Sequence, residues 1–545
     1  MREVVSPRGF SGLSRNALAS GLRVDRRSEP DASAFRLIVA YRLPLWPDAN
    51  WRLQLPPMSA SESQRVFPTP HRESGLRYVI ESLVSLALAV CLVRSFVVEG
   101  YIISTGSMAP YLLGFHKQVV CPDCRLPFAV GVPVDSEAET NGPVACPNCG
   151  QAYIDLSLVP RNEGDQLLVQ KFAYLFHRPK RWEVVVFQNP NQPTQAYVKR
   201  VIGLPDEEIQ VRAGDLWVNG ELARKNLAEQ RSTRMVVSSL KYRPRNGDEL
   251  RWQLESGWKT THDGIEFDPE SAAPVDDATS LMSVIYRGAT PQHSGATSKT
   301  EAAQLWPTDE YAYNGLNEVT QRYRVRDLML AMQIELHSGR GSLTWALSDG
   351  AQTFAVSLAA GERELRLFID GVEEPEQRVQ LSGSMWQRKR LVEMSLFDRQ
   401  LLFALDGEVI FQRPLEPLVL PAKNGGDAAK TLVLEDALPV QFGARNLHVS
   451  VSDLTLYRDV YYTRGDGRHG VNEPYRLSSD EYFFLGDNSP VSLDSRSWTN
   501  AVVRDHMLIG KPFLVHLPSR PGRVKLGSAE WHIRVPDWGR IRYIR

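Results

Sequence analysis

A short segment rich in hydroxyl groups, residues 104–110 (STGSMAP), follows directly on an apolar stretch. A serine hydroxyl becomes a useful nucleophile only when a neighbouring base removes its proton. Histidine is the usual base, but none of the 11 histidines lies in a recognisable Ser/His/Asp context. Ser107 is therefore a candidate nucleophile only if the chain supplies another base, and a flexible Ser/Gly linker is the alternative interpretation.

A candidate base is Lys199, which lies in the apolar run AYVKRVIGL. Burial disfavours the charged ammonium group and lowers the pKa of a lysine. The neutral amine can then act as a general base, as it does in Ser-Lys variants of the serine-protease arrangement. Taken alone, a lysine in a strand is far more often a solvated side chain, so this pairing depends on the rest of the pattern.

Four of the five cysteines form two C-x-x-C pairs, Cys121 with Cys124 and Cys146 with Cys149. Two such pairs are typical of a zinc ribbon, in which four thiolates bind one Zn²⁺ tetrahedrally. Two disulfides or a redox pair are the alternative, because thiols outside the cytoplasm can oxidise. The spacing predicts a structural or substrate-docking role rather than a catalytic one.

One stretch, residues 78–98, is apolar enough to cross a membrane once, since a span needs roughly 20 residues. Glu81 and Arg94 lie near its two ends, where charged side chains can reach the headgroups. A buried helix of a soluble domain is the alternative. Arginines in the preceding segment favour a cytoplasmic N-terminus and an extracytoplasmic position for the residues that follow.

The bulk composition bounds the class of protein. The 545 residues are 43% hydrophobic and 23% charged, with a formal net charge of −1. This length allows two to four domains, and the near-neutral charge predicts no nucleic-acid partner. Five cysteines are too few for a disulfide-stapled secreted scaffold.

Short β-branched or alternating runs follow the apolar stretch and predict a mainly β fold. Evenly spaced strands in the middle of the chain favour a β-sandwich, and the pattern FALDGEVIF loosely resembles lectin-like jelly rolls related to laminin G and concanavalin. The predicted regions are a disordered segment (1–75), a transmembrane helix (76–98), a catalytic β domain in two parts (99–228 and 466–545), a zinc-ribbon-like insert (118–153) and an inserted β-sandwich (229–465).

Four motifs occur in a fixed order: STGSMAPYL, GDQLLVQK, RWEVVVFQNP with AYVKRVIGLP, and FFLGDNSPVSLDSRSW. This succession resembles bacterial type I signal peptidases of peptidase family S26, which are membrane-anchored serine proteases with a Ser-Lys dyad. The resemblance covers roughly residues 78–222 and 475–515. It leaves out the cysteine insert, the long β insert and the N-terminal segment.

The resemblance implies roles for several residues of the first part. Ser107 corresponds to the nucleophile and Lys199 to the general base. The Ser107 backbone N–H and the Thr105 hydroxyl would form the oxyanion hole. The chain departs from the family pattern at Ser104, where proline is frequent, and at Asp206, where glycine is expected, but neither departure removes a catalytic group.

The resemblance also implies roles for the last motif. Ser492 matches the serine that hydrogen-bonds and orients the lysine amine. Asp494 and Arg496 match a supporting ion pair that fixes the loop. Asp487 belongs to the Gly-Asp-Asn turn that opens the motif, where it shapes the turn.

By this resemblance the expected reaction is endopeptidase cleavage of secretory preproteins with small residues at positions −1 and −3. It needs no cofactor for catalysis, and zinc would be structural. The expected location is the cytoplasmic (inner) membrane, with one pass, contact with the lipid bilayer and an extracytoplasmic catalytic domain. The β insert could bind a carbohydrate or a protein. The rival hypothesis is a catalytically inert membrane receptor that binds its ligand through this insert.

Overall fold

The computed structural model describes residues 75–133, 143–245, 251–272, 282–286, 306–315, 322–382, 388–416, 438–516, 518–526 and 529–544. The segment predicted to be disordered, 1–75, lies outside these residues except for its last one. The described chain is mainly β, as predicted, with one long apolar helix at its start.

This helix, α1 (Gly75–Leu92), continues through one π-helical turn at Val93–Val97. Together they form a 23-residue apolar segment, Gly75–Val97, that is long enough to cross a membrane. None of its residues is buried against the rest of the chain. An apolar helix without protein neighbours fits a bilayer rather than a soluble core, so the structure favours the membrane-spanning interpretation over the buried helix.

The chain between the apolar helix and residue 222 forms ten short strands. They are β1 (Val98–Ile102), β2 (His116–Val120), β3 (Pro127–Gly131), β4 (Arg161–Asn162), β5 (Gln166–Gln170), β6 (Val184–Asn189), β7 (Gln192–Gly203), β8 (Glu208–Arg212), β9 (Asp215–Val218) and β10 (Glu221–Leu222). Helix α2 (Ala173–Phe176) follows β5, and helix α3 (Leu227–Thr233) follows β10. A hairpin joins β9 to β10 through Asn219 and Gly220, whose φ values of 51° and 82° suit the primed turn of a twisted hairpin.

The next thirteen strands all pair within one sheet of their own. They are β11 (Met235–Ser239), β12 (Trp252–Leu254), β13 (Trp258–Thr260), β14 (Gly264–Phe267), β15 (Met282–Tyr286), β16 (Leu328–Ser348), β17 (Thr353–Ala359), β18 (Glu364–Ile369), β19 (Val372–Gln380), β20 (Arg390–Ser395), β21 (Gln400–Leu405), β22 (Glu408–Pro414) and β23 (Val440–Arg458). The two strand-like runs LMLAMQIELH and GSLTWALSD of the sequence form one long strand, β16.

Two long strands turn this sheet into a sandwich. The first half of β16 pairs with β20, and its second half pairs with β17. Pairing between β16 and β23 is irregular within residues 336–342, where a side chain on Gly339 would lie 2.4 Å from the Asn446 carbonyl oxygen. Such irregularities bend strands, so the halves face each other, and Trp345 packs against Phe403 with ring centroids 5.4 Å apart. This is the predicted β-sandwich.

After the sandwich, the chain forms further strands, several of which pair with strands of the first part. The last strands are β24 (Tyr475–Arg476), β25 (Glu481–Leu485), β26 (Val503–Arg504), β27 (Leu508–His516), β28 (Ser519–Leu526), β29 (Ala529–Pro536) and β30 (Arg542–Tyr543). β27 lies between β5 and β6 and also pairs with β30, while β25 pairs with β7. The order β1-β5-β27-β6-β7-β25-β26 therefore mixes strands from both sides of the sandwich, as expected for a β domain interrupted by an insertion.

A buried charge cluster joins the sandwich to the first part. Lys225 is 2% exposed, and its ammonium group lies 2.6 Å from the Asp398 carboxylate and 2.8 Å from the Asp459 carboxylate. Burial alone would lower the pKa of Lys225, but these two carboxylates raise it well above its usual range. Burial, together with the charge of Asp398, also raises the pKa of nearby Asp215 to about 7.

Candidate active site

The predicted nucleophile lies in a compact turn after β1. The Gly106 carbonyl accepts a hydrogen bond from the Ala109 N–H at 3.0 Å, and the Met108 carbonyl accepts one from the Leu112 N–H at 2.8 Å. Met108 and Leu112 are fully buried in the core beneath the turn. The apolar side chain of Met108 therefore anchors the turn from below and leaves Ser107 at the surface of the core.

The structure brings Ser107 and Lys199 together from positions 92 residues apart. Lys199 lies in β7, and its Nζ donates a hydrogen bond to Ser107 Oγ. The lysine is 3% exposed. This is the contact that a nucleophile and its general base require.

The surroundings of Lys199 favour its neutral form. Burial lowers the pKa of Lys199 to about 8, while the charges of Asp494 and Asp487 raise it and that of Arg496 lowers it. Within the described part of the chain, no carboxylate lies in salt-bridge distance of its amine. A pKa of about 8 leaves roughly one tenth of the amine uncharged at pH 7, so a usable fraction of the base is present.

The predicted supporting ion pair is present beside the dyad. Arg496 Nε and Nη2 donate to the two Asp494 carboxylate oxygens at 2.9 and 2.7 Å, and both side chains are almost fully buried. Burial alone would raise the pKa of Asp494, but Arg496 keeps it below the usual value. Asp494 also accepts the Gly486 N–H at 3.1 Å, and Arg496 donates to the Ser489 carbonyl at 3.0 Å. The pair thus fixes the loop of the last motif.

Asp487 has a partner that sequence reasoning missed. Arg200 Nε and Nη2 donate to the Asp487 carboxylate at 2.8 and 2.6 Å, and both residues are buried. Because successive side chains of a strand point to opposite faces, Arg200 points away from the face of β7 that carries Lys199. A charged Lys-Arg pair inside an apolar strand was the available signal. Asp487 therefore ties its loop to β7 and does more than shape a turn.

The structure forms the expected position for Thr105 but not the expected hydrogen bond for Ser492. Thr105 is exposed and lines the cleft beside Ser107. Ser492 is buried, and a side chain built on Gly486 would meet both the Ser492 hydroxyl at 2.3 Å and the Ser107 carbonyl at 2.4 Å. Among the described residues the Ser492 hydroxyl has no hydrogen-bond partner, so its predicted bond to the Lys199 amine is not formed in this conformation.

A cleft of about 760 Å³ opens in front of the dyad. It is lined by residues 101–107, 131–133 and 195–199 and by Leu167, Val186, Tyr313, Asn314, Asn488, Val491 and Leu493. In the described chain, residues 196–199 pair with β6 on one side, and no strand pairs with them on the other. The other edge can therefore pair with an extended peptide that adds to the sheet as a further strand.

Two residues of this lining, Tyr313 and Asn314, come from the sandwich insert. No sequence pattern indicated these two residues, because they lie in a polar and irregular stretch without strand periodicity. Their neighbour Tyr311 donates from its hydroxyl group to the Asp487 carbonyl at 2.7 Å. The insert thus contributes directly to the site, although the sequence predicted a separate β-sandwich domain.

The four cysteines of the two C-x-x-C pairs converge as predicted. The Sγ atoms of Cys121 and Cys149 are 3.6 Å apart, as are those of Cys124 and Cys146, and all four lie within 4.8 Å of one another. Four thiolates at about 2.3 Å from one tetrahedral Zn²⁺ have sulfurs about 3.8 Å apart, whereas a disulfide needs about 2.05 Å. The donor set and spacing suit a structural zinc ion better than two disulfides.

Comparisons with known proteins agree with the motifs. Residues 158–264 match the family described as signal peptidase, peptidase S26. This match includes Lys199, but it begins only at residue 158 and so does not include Ser107. It confirms the resemblance to type I signal peptidases.

Several signal peptidases are similar over short stretches. Signal peptidase I of Leptolyngbya laminosa is 39% identical over 79 residues, which are 13% of this chain and 38% of that protein. Signal peptidase I V of Bacillus subtilis is 42% identical over 59 residues, 11% of this chain and 34% of the relative. That of Pseudomonas aeruginosa is 38% identical over 77 residues, 12% and 27% of the two chains. The chain thus spans less than two fifths of the length of these relatives.

Solved structures resemble parts of this chain only distantly. The carbohydrate-binding module CBM66 from Bacillus subtilis aligns with a TM-score of 0.22 at 10% identity, covering 38% of this chain and 94% of that one. Sheep galectin-11 aligns with a TM-score of 0.17 at 10% identity, covering 24% and 89%. Likeness at this level carries no conclusion about what the insert binds.

Proposed function

We propose that this chain, which resembles bacterial type I signal peptidases in its catalytic core, is a membrane-anchored serine endopeptidase that removes signal peptides from secreted preproteins. The observation that carries the proposal is the hydrogen bond from the buried Lys199 amine to the Ser107 hydroxyl, at the wall of a peptide-sized cleft. The family match and the relatives support the same class of enzyme.

The proposed chemistry is acyl transfer through a covalent intermediate. Neutral Lys199 accepts the Ser107 proton while Oγ forms a bond to the scissile carbonyl carbon. Lys199 then gives this proton to the leaving amine, and the peptide C–N bond breaks to leave an acyl-enzyme. The same amine next removes a proton from water, which attacks the ester carbon. The bond from this carbon to Ser107 Oγ then breaks, Lys199 returns the proton to Oγ, and the acid product is released. No step needs a cofactor.

The oxyanion is the charge that this site must stabilise. We assign this role to the Ser107 backbone N–H and the Thr105 hydroxyl, two residues before the nucleophile. The exposed position of Thr105 in the cleft supports the assignment. One such donor is worth about 3 kcal/mol of transition-state stabilisation.

Ser492 is proposed to orient the lysine. Its hydroxyl is buried beside Gly486 and the Ser107 carbonyl, without a hydrogen-bond partner among the described residues. A buried unsatisfied hydroxyl is costly, and it would gain a partner by bonding the Lys199 amine when that amine leaves Ser107. Asp494 and Arg496 hold the loop that carries Ser492.

The proposed substrates are secretory preproteins with small side chains at positions −1 and −3. Their residues before the cut would pair with the free edge at 196–199. The apolar segment Gly75–Val97 would hold the enzyme in the cytoplasmic membrane, with its N-terminus in the cytoplasm and the catalytic domain outside. Enzyme and signal peptide then share one bilayer, which raises their effective concentration.

A structural zinc ion is proposed for Cys121, Cys124, Cys146 and Cys149. It would cross-link two turns that otherwise have a small core, and it takes no part in the reaction. Metal analysis of the purified full-length protein should find one zinc per chain. The variant Cys146→Ser should lose it, whereas Cys91→Ser, in the apolar helix, should retain it. A protein without zinc and without free thiols would contradict the assignment.

The decisive experiment compares cleavage of a preprotein with an Ala-x-Ala site in detergent by wild type, Ser107→Ala and Lys199→Ala. Both variants should lose cleavage while their thermal unfolding stays cooperative. Activity that persists without Ser107 would sink the proposal. A wild type that is inert on several preproteins, while the insert binds a carbohydrate or protein even in Ser107→Ala, would instead identify a receptor.

A further inference from the structure

We propose that the sandwich insert completes the active site, because its turn at residues 311–314 holds the nucleophile loop and forms one wall of the substrate cleft. The inference rests on the proposed function for its substrate class. It assigns two roles that no motif indicates: Asn314 is a positioning residue, and Tyr313 is a specificity-determining residue.

A chain of hydrogen bonds links Asn314 to the nucleophile. The side-chain amides of Asn314 and Asn488 donate to each other's oxygen at 2.8 and 2.7 Å, and both residues are buried. Asn488 Nδ2 also donates to the Gly106 carbonyl at 3.0 Å, and the Asn488 N–H donates to the Ser107 carbonyl at 3.0 Å. Asn314 therefore fixes the side chain that in turn fixes the backbone on both sides of the Gly106–Ser107 peptide bond.

A second contact anchors the same loop one residue earlier. The Tyr311 hydroxyl donates to the Asp487 carbonyl, and the Tyr311 ring lies under the Arg458 guanidinium at 4.7 Å. Arg458 also donates to the Glu310 carbonyl at 2.9 Å. Because Arg458 ends β23, the main body of the sandwich supports this turn, which is not a free loop.

Tyr313 fits the catalytic part as closely as a core residue. Its hydroxyl donates to the Phe115 carbonyl at 2.9 Å. A Cβ atom on Gly106 would lie 2.1 Å from the ring, and one on Gly131 would lie 2.4 Å from it. Real side-chain atoms do not approach this closely, so both positions must be glycine for the ring to pack there. The two glycines and the tyrosine are thus matched across the boundary between the catalytic part and the insert.

The cysteine module supports the turn from its other side. Ala312 packs against the apolar cluster that contains the four cysteines. Tyr313 reaches Gly131 in β3, which extends from the same module. The turn is therefore enclosed by the nucleophile loop, the Asp487 loop and the cysteine module. A shift of any of these three parts can thus move the wall of the cleft that the turn forms.

These contacts predict separate effects on the two kinetic constants. Asn314 touches the nucleophile loop through Asn488, so its loss should misplace Ser107 and lower kcat. Tyr313 lines the cleft, so its ring excludes bulky side chains there and its loss should relax the preference for small ones. A merely structural contribution would instead lower the apparent kcat by the same factor for every substrate, through the fraction of folded enzyme. It would leave KM and the substrate ratio unchanged, and the loss of folded enzyme would be seen in thermal unfolding.

The test compares Asn314→Ala, Tyr313→Ala and Tyr313→Phe in the full-length enzyme, on matched preproteins with alanine or leucine near the scissile bond. Asn314→Ala should lower kcat roughly tenfold with KM within about twofold, as expected for one lost buried hydrogen bond. Tyr313→Ala should raise the leucine-to-alanine ratio of kcat/KM about tenfold. Tyr313→Phe keeps the ring and should keep the wild-type ratio.

Tyr323→Ala is the matched control. Tyr323 belongs to the same insert and stacks on Tyr461 at 5.2 Å, but it does not line the cleft. It should leave kcat and the substrate ratio unchanged. Cooperatively folded Asn314→Ala and Tyr313→Ala variants with wild-type kcat and wild-type substrate ratio would overturn the inference.

Hydrogen–deuterium exchange separates this inference from the proposed function. The peptide that contains Gly106 and Ser107 should exchange at least about tenfold faster in Asn314→Ala than in Tyr323→Ala, whatever the substrate is. If wild type cleaves no preprotein, the proposed function fails, and this exchange measurement decides the positioning role alone. Equal exchange in the two variants would then defeat it.

Discussion

Lys199 and Lys225 are both buried, but their pKa values shift in opposite directions. Lys199 faces the Ser107 hydroxyl and has no carboxylate in salt-bridge distance within the described chain, so burial lowers its pKa to about 8. Lys225 has two carboxylates within 2.8 Å, and its pKa is raised. Equal burial is therefore accompanied by a lowered pKa in one region and a raised pKa in the other.

The difference teaches what makes a lysine reactive in this fold. Removing an ammonium group from water is costly, and the cost is avoided either by losing the proton or by pairing the charge. In the candidate active site, the carboxylate of Asp494 pairs with Arg496 and does not pair with Lys199. At the junction with the sandwich, the carboxylates of Asp398 and Asp459 both pair with Lys225.

The largest expected effect comes from exchanging each lysine for arginine, which keeps a cation but cannot lose its proton. Lys199→Arg should lower kcat about 10⁴-fold, because the general base disappears. Lys225→Arg should keep near-wild-type kcat, because Asp398 and Asp459 accept a guanidinium group as well. Steady-state cleavage of one preprotein by both variants checks this, and comparable losses in the two would break the comparison.

Replacing each lysine by alanine should reverse the order of the effects when stability is measured. Lys225→Ala leaves two buried carboxylates unpaired, so the free energy of unfolding should fall by about 3–5 kcal/mol. Lys199→Ala removes a buried amine without an ion-pair partner, so the free energy of unfolding should be no lower than in wild type. Denaturant unfolding of both variants measures this. A large loss in Lys199→Ala would show that its amine is paired after all.

The pH dependence of activity sharpens the contrast. Because the pKa of Lys199 is lowered to about 8, only the fraction of enzyme with a neutral amine reacts. The value of kcat/KM should fall about tenfold per pH unit below pH 8 and level off above it. A profile that stays flat from pH 6 to pH 9, on a substrate without titratable groups near the cut, would contradict a lysine base.

The smallest effect concerns the stability of the junction. Burial raises the pKa of Asp215 to about 7, so in the folded state this carboxyl group binds a proton more tightly than in the unfolded state. Its contribution to stability is present below pH 4 and is lost as the pH rises through about 7. The Tm of wild type should therefore fall by about 2–4 °C more between pH 5 and pH 8 than that of Asp215→Asn. An equal fall of Tm between pH 5 and pH 8 in wild type and in Asp215→Asn would show that the pKa of this carboxyl group is not raised by folding.

The contact between Ser107 and Lys199 could be predicted because its signals are local. Lys199 stands in an apolar run, Ser107 follows the apolar helix, and the cysteine pairs show their spacing directly in the sequence. Lys225 could not be recognised in this way. Its partners Asp398 and Asp459 lie 173 and 234 positions away, and only the folded sandwich brings them together.

The sandwich shows a second limit of sequence reasoning. The glycines within residues 336–342 suggest a turn between two strands, but β23 pairs with both sides and makes β16 continuous. Tyr313 and Asn314 carry no periodic pattern, so their role depends on tertiary contacts that the sequence does not display. Local chemistry was thus easier to predict than the long-range contacts that support it.

The position of β27 has a consequence for the timing of synthesis. β1 and β5, next to Ser107, and β6 and β7, which carry Lys199, lie on opposite sides of β27. β27 leaves the ribosome about 300 residues after Lys199, after the whole sandwich. The strands next to Ser107 and the strand that carries Lys199 are therefore joined into one sheet only after β27 has been made, so we expect the contact between the two side chains to form late in synthesis.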